Sequence, residues 1–284
     1  MKKINNYYVL LILILVYSCS MSSLNGNRNL ASVEDQLGRR KLAPDYKFPT
    51  DTDKIKVAFF DADSTLRVSK SGQVSANSMD DVFILPCVGK RLSDLNKAGY
   101  LIAIVSNQGG IPSFVSYQEA DGALQMTTEL IKKEGGTAHY YDFAELKDEN
   151  RKPEIGMALR LESILNELSY KIDKENSFMI GDSAYKKDVD TRPDGKAGTH
   201  FSNSDRLFAE NYFKEFAHAT APYNFEEASA FFGWNQNDID VFQTDPETKK
   251  KGMEFVQEYL KKFGLSKSCP VPVSKLFPPD FKWL

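Results

Sequence analysis

The chain has 284 residues, and 36 Lys and Arg stand against 39 Asp and Glu for a formal charge of −3. No basic excess marks a nucleic-acid binder, no block of like charge marks an acidic tail, and 42% hydrophobic with 12% aromatic residues excludes a disordered chain. The length allows up to two domains.

Residues 1–19 have the parts of a bacterial export signal: Lys2 and Lys3, an apolar core from Val9 to Val16, and small residues near a cut site. The core is about half of the ~20 apolar residues that span a bilayer, so a retained membrane helix is not expected. Val16-Tyr17-Ser18-Cys19 resembles a bacterial lipoprotein box, with Tyr17 bulky for it, and implies cleavage before Cys19 and lipid on its sulfur. The expected product is an exported lipoprotein, anchored to a membrane and facing the periplasm or the cell exterior. Loss of residues 1–19 would leave the mature chain at −5, because they carry two Lys and no acid. Residues 20–50, polar and without periodicity, read as a tether. With Cys19 taken by lipid, Cys87 and Cys269 remain as a candidate disulfide in an oxidising compartment.

From Ile55 strands alternate with helices. The apolar run Ile55–Phe60 reads as a buried strand that ends in Asp61. A helix over Val88–Ala98 is stopped by Gly99, and Leu101–Val105 forms a second strand. A helix over 117–134, a strand near Ala138–Tyr141, a helix over 155–168 and a strand over Ser177–Ile180 follow. This alternation predicts a parallel central sheet with helices on both faces, and ligands at the carboxyl ends of its strands. Residues 204–212 and 225–232 read as short helices, and Thr248–Phe263 as an amphipathic one. Pro270, Pro272, Pro278 and Pro279 then predict an extended surface tail.

Four segments at strand ends or helix starts carry the chemistry. Asp61-Ala62-Asp63-Ser64-Thr65-Leu66 offers two carboxylates, hard oxygen ligands that suit Mg²⁺, and a nucleophile beside an acid. Ser106-Asn107-Gln108-Gly109 places a hydroxyl and backbone N–H groups where phosphate oxygens can rest. Arg151-Lys152-Pro153 is expected to open a helix, with Pro153 in its first turn and a cation near the same edge. Ile180-Gly181-Asp182-Ser183 delivers a further carboxylate.

The four in this order resemble the haloacid dehalogenase superfamily of phosphotransferases, whose fold is a three-layer, Rossmann-like α/β sandwich. The resemblance implies Asp61 as nucleophile, forming an aspartyl-phosphate, and Asp63 as general acid/base. It implies Ser106, Asn107 and Lys152 as phosphate-binding residues, and Asp61, the backbone carbonyl of Asp63, and Asp182 as Mg²⁺ ligands. The acid Asp63 favours a phosphatase, because members that cleave carbon–halogen bonds lack it. Two positions depart from the pattern: Ser64 stands where Gly is usual, and Lys186 where many members carry another Asp, a role open to Asp188 or Asp190.

The intervals Asp61–Ser106 and Ser106–Lys152, 45 and 46 residues, leave no room for a cap domain, so an open site is expected. Arg151–Met157 looks like both polynucleotide 3′-phosphatases and the histidinol-phosphate and heptose-bisphosphate phosphatases. The latter usually carry a Cys/His zinc cluster before this segment, and Tyr141–Asn150 holds neither residue type. Ser71-Gly72-Gln73-Val74, Gly99-Tyr100, Phe225-Glu226-Glu227, Phe231-Phe232-Gly233-Trp234 and the block Phe201-Ser202-Asn203-Ser204-Asp205-Arg206-Leu207-Phe208-Ala209-Glu210-Asn211 resemble the phosphatase domain of polynucleotide kinase 3′-phosphatases. No Gly-x-x-x-x-Gly-Lys-Ser/Thr loop occurs, so no ATP-dependent kinase half is expected.

The expected organisation is an export signal over 1–19, a tether over 20–50, a capless phosphatase domain over 51–235 and a helical C-terminal extension over 236–284. The expected substrate is a 3′-phosphorylated nucleic-acid end, with Arg151 and Arg206 as substrate-binding candidates. Lys186, Lys187, Arg192 and Lys196 are candidates for strand contact, although Asp188, Asp190, Asp194 and Asp205 interleave with them and nearly cancel their charge. A general small-molecule phosphatase, and an anchored binding protein with a decayed site, are the alternatives.

Overall fold

The computed structural model describes residues 38–184, 202–214, 224–234, 269, 276 and 277. The export signal with Cys19, most of the expected tether, residues Lys186–Lys196 with Asp188 and Asp190, and the Thr248–Phe263 helix lie outside the described residues. Among the described residues no helix is long and apolar enough to cross a membrane.

In chain order the elements are β1 (Lys54–Ile55), β2 (Val57–Phe60), β3 (Arg67–Ser69), β4 (Val82–Ile84), α1 (Val88–Lys97), β5 (Leu101–Asn107), α2 (Tyr117–Lys133) and β6 (Tyr140–Ala144). They continue with α3 (Gly156–Glu167), β7 (Lys171–Ile172), β8 (Phe178–Gly181), α4 (Ser204–Phe213), β9 (Phe225–Glu227) and α5 (Ala228–Phe232). Five strands form one sheet in the order β6-β5-β2-β8-β9, and every neighbouring pair is parallel.

The sheet is buried on both faces, which is why β2 and β5 read as continuous apolar runs. Ala58, Phe60, Ile102 and Ile104 belong to one core, while Val57, Phe59, Leu101, Ala103 and Val105 belong to the other. Phe59 meets Phe208, Tyr212 and Phe213 of α4, and Phe60 meets Phe231 and Phe232 of α5. The result is the three-layer α/β architecture expected from the sequence. Helix α2 starts on a capping box: Ser116 Oγ accepts from the Glu119 N–H, and the Glu119 carboxylate accepts from the Ser116 N–H.

Between β2 and α1 the chain forms the antiparallel pair β3–β4 and one short 3-10 turn over Met79–Asp81, and between β5 and β6 the helix α2, so no cap domain interrupts either interval. The expected helix over 225–232 is a short strand, β9, followed by α5. Phe225-Glu226-Glu227 extends the sheet edge beside β8, and this tertiary pairing overrides a local pattern that is equally compatible with helix.

Part of the expected tether is packed. Arg40 N and Ala43 N donate to the carbonyls of Tyr141 and His139, Tyr46 lies edge-on to the His139 ring, and Phe48 stacks on Tyr170. The aromatic residues in this polar stretch give it apolar surface to bury. At the other end of the chain, Cys87 and Cys269 form a disulfide across 182 residues, with Cα atoms 5.5 Å apart. Phe277 packs against Tyr100, Phe178 and Phe231, so this tail residue contributes to the core rim.

Candidate active site

The carboxyl ends of β2, β5 and β8 converge on a cavity of about 940 Å³ lined by Asp61, Ser106, Lys152 and Asp182, among others. Asp61 follows β2 directly, Ser106 is the second-last residue of β5, and Asp182 follows β8. Lys152 comes from the loop after β6, and its Nζ lies 2.5 Å from Asp61 Oδ1 and 2.7 Å from Asp205 Oδ1. The expected position of Pro153 in the first helical turn is not found. Residues 151–154 form a turn, and α3 begins at Gly156. That turn aims Lys152 inward while α3 runs back along the sheet.

Asn107 lines the cavity, and its side chain is engaged with the Lys152 backbone. Its side-chain amide donates to the Lys152 carbonyl and its Oδ1 accepts from the Lys152 N–H, both at 2.9 Å. It is a positioning residue that fixes the backbone carrying the ammonium group. Ser106 is buried, and its Oγ accepts from Gln108 Nε2 at 2.9 Å.

The side chain of Asp63 turns away from the other carboxylates. Arg67 Nε donates to Oδ1 at 2.9 Å, and Gln108 Nε2 and Ser75 Oγ donate to Oδ2 at 2.8 and 3.0 Å. Arg67 is itself held by Thr127 Oγ1 of α2 at 2.9 Å. Only the backbone carbonyl of Asp63 remains for the ligand role that the resemblance implies. Ser64 adopts φ +63°, the left-handed conformation in which Gly costs less, and this accounts for Gly being usual there.

Asp205 is the site residue that the sequence reading missed. It sits in the first turn of α4, its Oδ2 accepts from the Ser183 N–H at 3.0 Å, and its Oδ1 faces Lys152. A side chain at Gly181 would occupy the space of the Asp205 carboxylate, so glycine is required for this approach. The signal is in the sequence: Asp205 shares a helix stripe with Phe208, Ala209 and Tyr212, which places it on the buried face.

One oxygen from each of Asp61, Asp182 and Asp205 lies within 4.8 Å of the others, and all three residues are buried. Hard oxygens gathered in this way fit Mg²⁺. Burial pushes the Asp61 carboxyl up to about 7; Lys152 opposes the shift, and Asp205 and Asp63 add to it. Burial, then Asp205 and Asp61, raise Asp182 well above the usual carboxylate range. Burial works against the Lys152 charge, but Asp205 and Asp61 outweigh it and hold the ammonium above its ordinary value. The three carboxyl groups around Lys152 repel one another in their charged forms, and a divalent cation would relieve that repulsion.

The two arginine candidates separate. Arg151 lines the cavity with its guanidinium against Gly109. Arg206 turns along α4, where Nη1 pairs with Glu210 at 2.9 Å and Nε donates to the Ala184 carbonyl, and it is not among the lining residues. The i,i+4 spacing puts Glu210 within its reach.

Comparison with known proteins gives a match to the family described as polynucleotide kinase 3 phosphatase over residues 56–223. An uncharacterized 20.8 kDa protein of Autographa californica nuclear polyhedrosis virus is 34% identical over 163 residues, covering 57% of this chain and 82% of the viral one. The bifunctional polynucleotide phosphatase/kinase of Schizosaccharomyces pombe is 33% identical over 180 residues, covering 60% of this chain and 40% of the yeast protein. The D-glycero-beta-D-manno-heptose-1,7-bisphosphate 7-phosphatase of Haemophilus ducreyi is 30% identical over 139 residues, covering 45% of this chain and 72% of that one.

Proposed function

We propose a polynucleotide 3′-phosphatase, on the premise that the chain belongs to the polynucleotide kinase 3 phosphatase family. It is a phosphoric monoester hydrolase of the haloacid dehalogenase type. The observation that carries the reading is the convergence of Asp61, Lys152, Asp182 and Asp205 in a cavity that no cap closes among the described residues. An open cavity suits the end of a long substrate.

In the proposed reaction a carboxylate oxygen of Asp61 attacks phosphorus, and the bond from phosphorus to the 3′ oxygen breaks. The carboxylic acid form of Asp63 gives its proton to that leaving oxygen. Water then attacks the aspartyl-phosphate, Asp63 takes a proton from it, and phosphate leaves with both carboxyl groups restored. Lys152 and the Ser106 hydroxyl hold the phosphoryl oxygens, and Asn107 keeps Lys152 in register. Asp61, Asp182 and Asp205, with the Asp63 carbonyl, would hold Mg²⁺, which offsets the charge of nucleophile and phosphate when bound.

The second reading is a small-molecule phosphatase of the heptose-bisphosphate type. The stretch Tyr141–Asn150, with no Cys or His for a zinc cluster, weighs against it. The proposed setting is outside the cytoplasm, on a membrane through lipid at Cys19. The Cys87–Cys269 disulfide supports that setting, because such bonds persist in oxidising compartments.

Phosphate release with Mg²⁺ from a 3′-phosphorylated oligonucleotide, a 5′-phosphorylated one, mononucleotides and sugar phosphates tests the assignment, with Asp61→Asn as control. The 3′-phosphorylated oligonucleotide is expected to have the highest kcat/KM. Equal values across the panel would defeat the nucleic-acid assignment and leave the phosphatase chemistry standing.

A further inference from the structure

The cavity lining also includes residues outside the carboxylate cluster. The loop between β5 and α2 presents Phe114 with 90% of its surface exposed, although it lines the cavity. The loop is held at several points. Gln108 N donates to the Ala144 carbonyl and Phe114 N to the Gly110 carbonyl, both at 2.8 Å, and two residues later Ser116 caps α2. The ring is therefore displayed by a braced loop, at a position that forgoes the burial that normally stabilises an aromatic side chain.

Arg151 supplies the second observation. Its guanidinium lies against the backbone of the same loop: a Cβ at Gly109 would stand 2.8 Å from Nη1 and 3.0 Å from Nη2. Nη1 is buried and has no hydrogen-bond partner among the described residues. A buried guanidinium N–H without an acceptor is costly, and an acceptor supplied by a ligand removes the cost. The reacting end of the cavity has its own cation in Lys152, so Arg151 is left for a different anionic group. An aromatic side chain and a guanidinium lining one cavity are the groups with which proteins hold single-stranded nucleic acid.

We propose that Phe114 and Arg151 form a subsite for the terminal nucleotide, with its base stacked on the Phe114 ring and a backbone phosphodiester oxygen accepting from Arg151 Nη1. The subsite rests on the polynucleotide reading and sharpens it. It gives the enzyme a grip on one nucleotide and one link of the chain, independent of base identity, since every base offers a π face.

The test compares kcat/KM for a 3′-phosphorylated oligonucleotide with that for glycerol phosphate in wild type, Phe114→Ala, Phe114→Trp and Arg151→Gln. Phe114→Ala is expected to lower the ratio about 5- to 100-fold, mainly through the oligonucleotide KM, and Phe114→Trp to keep it. An oligonucleotide whose 3′-phosphorylated residue is abasic should lose the same factor on wild type and nothing more on Phe114→Ala. Arg151→Gln should erase the advantage of a 3′-phosphorylated dinucleotide over a 3′-mononucleotide. A wild type that prefers the oligonucleotide while Phe114→Ala keeps the full preference overturns the subsite and leaves the polynucleotide reading intact. A wild type with no preference overturns both.

Discussion

Two buried acidic centres sit in the same sheet, and they are neutralised in opposite ways. Asp142 on β6 is fully buried, and Arg40 Nε and Arg160 Nε reach it at 3.0 and 2.8 Å, two cations for one carboxylate. At the ends of β2 and β8 and the start of α4, Asp61, Asp182 and Asp205 gather around Lys152, the one cation among the described residues that pairs with any of them. The first arrangement leaves no buried carboxylate oxygen without a cation and serves the fold. The second places three carboxyl groups where burial and mutual repulsion disfavour their charged forms, which favours whatever cation arrives. Burial by itself does not mark a functional acid; burial with too few partners does.

The largest expected effect falls on turnover. Asp61→Asn should reduce phosphate release by about 10³-fold or more, because no other group at the site is placed to attack phosphorus. The same substitution should leave the Mg²⁺-free protein as stable as wild type or more stable, since it removes one of three mutually repelling carboxylates. A lowered Tm for the Asn variant would break the comparison. Asp142→Asn should do the reverse, costing about 1–3 kcal/mol of stability while kcat survives. The cost falls below that of breaking a fully buried pair because both arginines are about a third exposed and reach water. Denaturant midpoints beside kcat for the two variants check this crossing pattern.

The pH dependence sharpens the same contrast. Asp61 has an ordinary value of 3.8 and is raised to about 7 in the fold, so between those values the folded state holds a proton that the unfolded chain has released. Its contribution is full below about pH 4 and is lost as pH rises through about 7. The Mg²⁺-free protein should therefore lose stability across that window, Mg²⁺ should restore more at pH 8 than at pH 5, and Asp61→Asn should flatten the trend. Thermal melts at several pH values, with and without Mg²⁺, provide the measurement. The smallest effect is expected at Ser64: replacement by Gly should raise stability by up to about 1 kcal/mol by relieving a left-handed backbone.

Much of this site was legible because its residues lie at the ends of apolar runs. Asp61 and Asp182 interrupt buried strands, and a carboxylate ending a β-strand is visible without tertiary information. Lys152 was placed by an expected helix start at Pro153, although a turn carries it and the helix begins at Gly156. Asp205 was obscured by the neighbouring alternation of acids and bases, which reads as a solvated loop; only its membership of the Phe208–Tyr212 stripe distinguishes it. Arg206, adjacent to it, points another way because a helix turns successive side chains by about 100°. Asn107 was assigned by its place in a motif, yet its contact is with Lys152, 45 residues later, and no local pattern encodes that distance. The packing of Tyr46 and Phe48 was hidden for a related reason: two aromatic residues in a polar stretch reveal no partner until His139 and Tyr170 are brought beside them.

The strand order has a consequence for how the chain reaches this state. The first long strand made, β2, ends up in the middle of the sheet, flanked by β5 and β8. During synthesis β5 can cover one side early, but the other edge waits until Phe178–Gly181 has emerged, and β9 later still. Through that interval Val57–Phe60 offers a fully apolar strand with an open hydrogen-bonding edge, the kind of surface on which chains aggregate. The yield of folded protein should therefore depend on how quickly the last third of the domain follows the first.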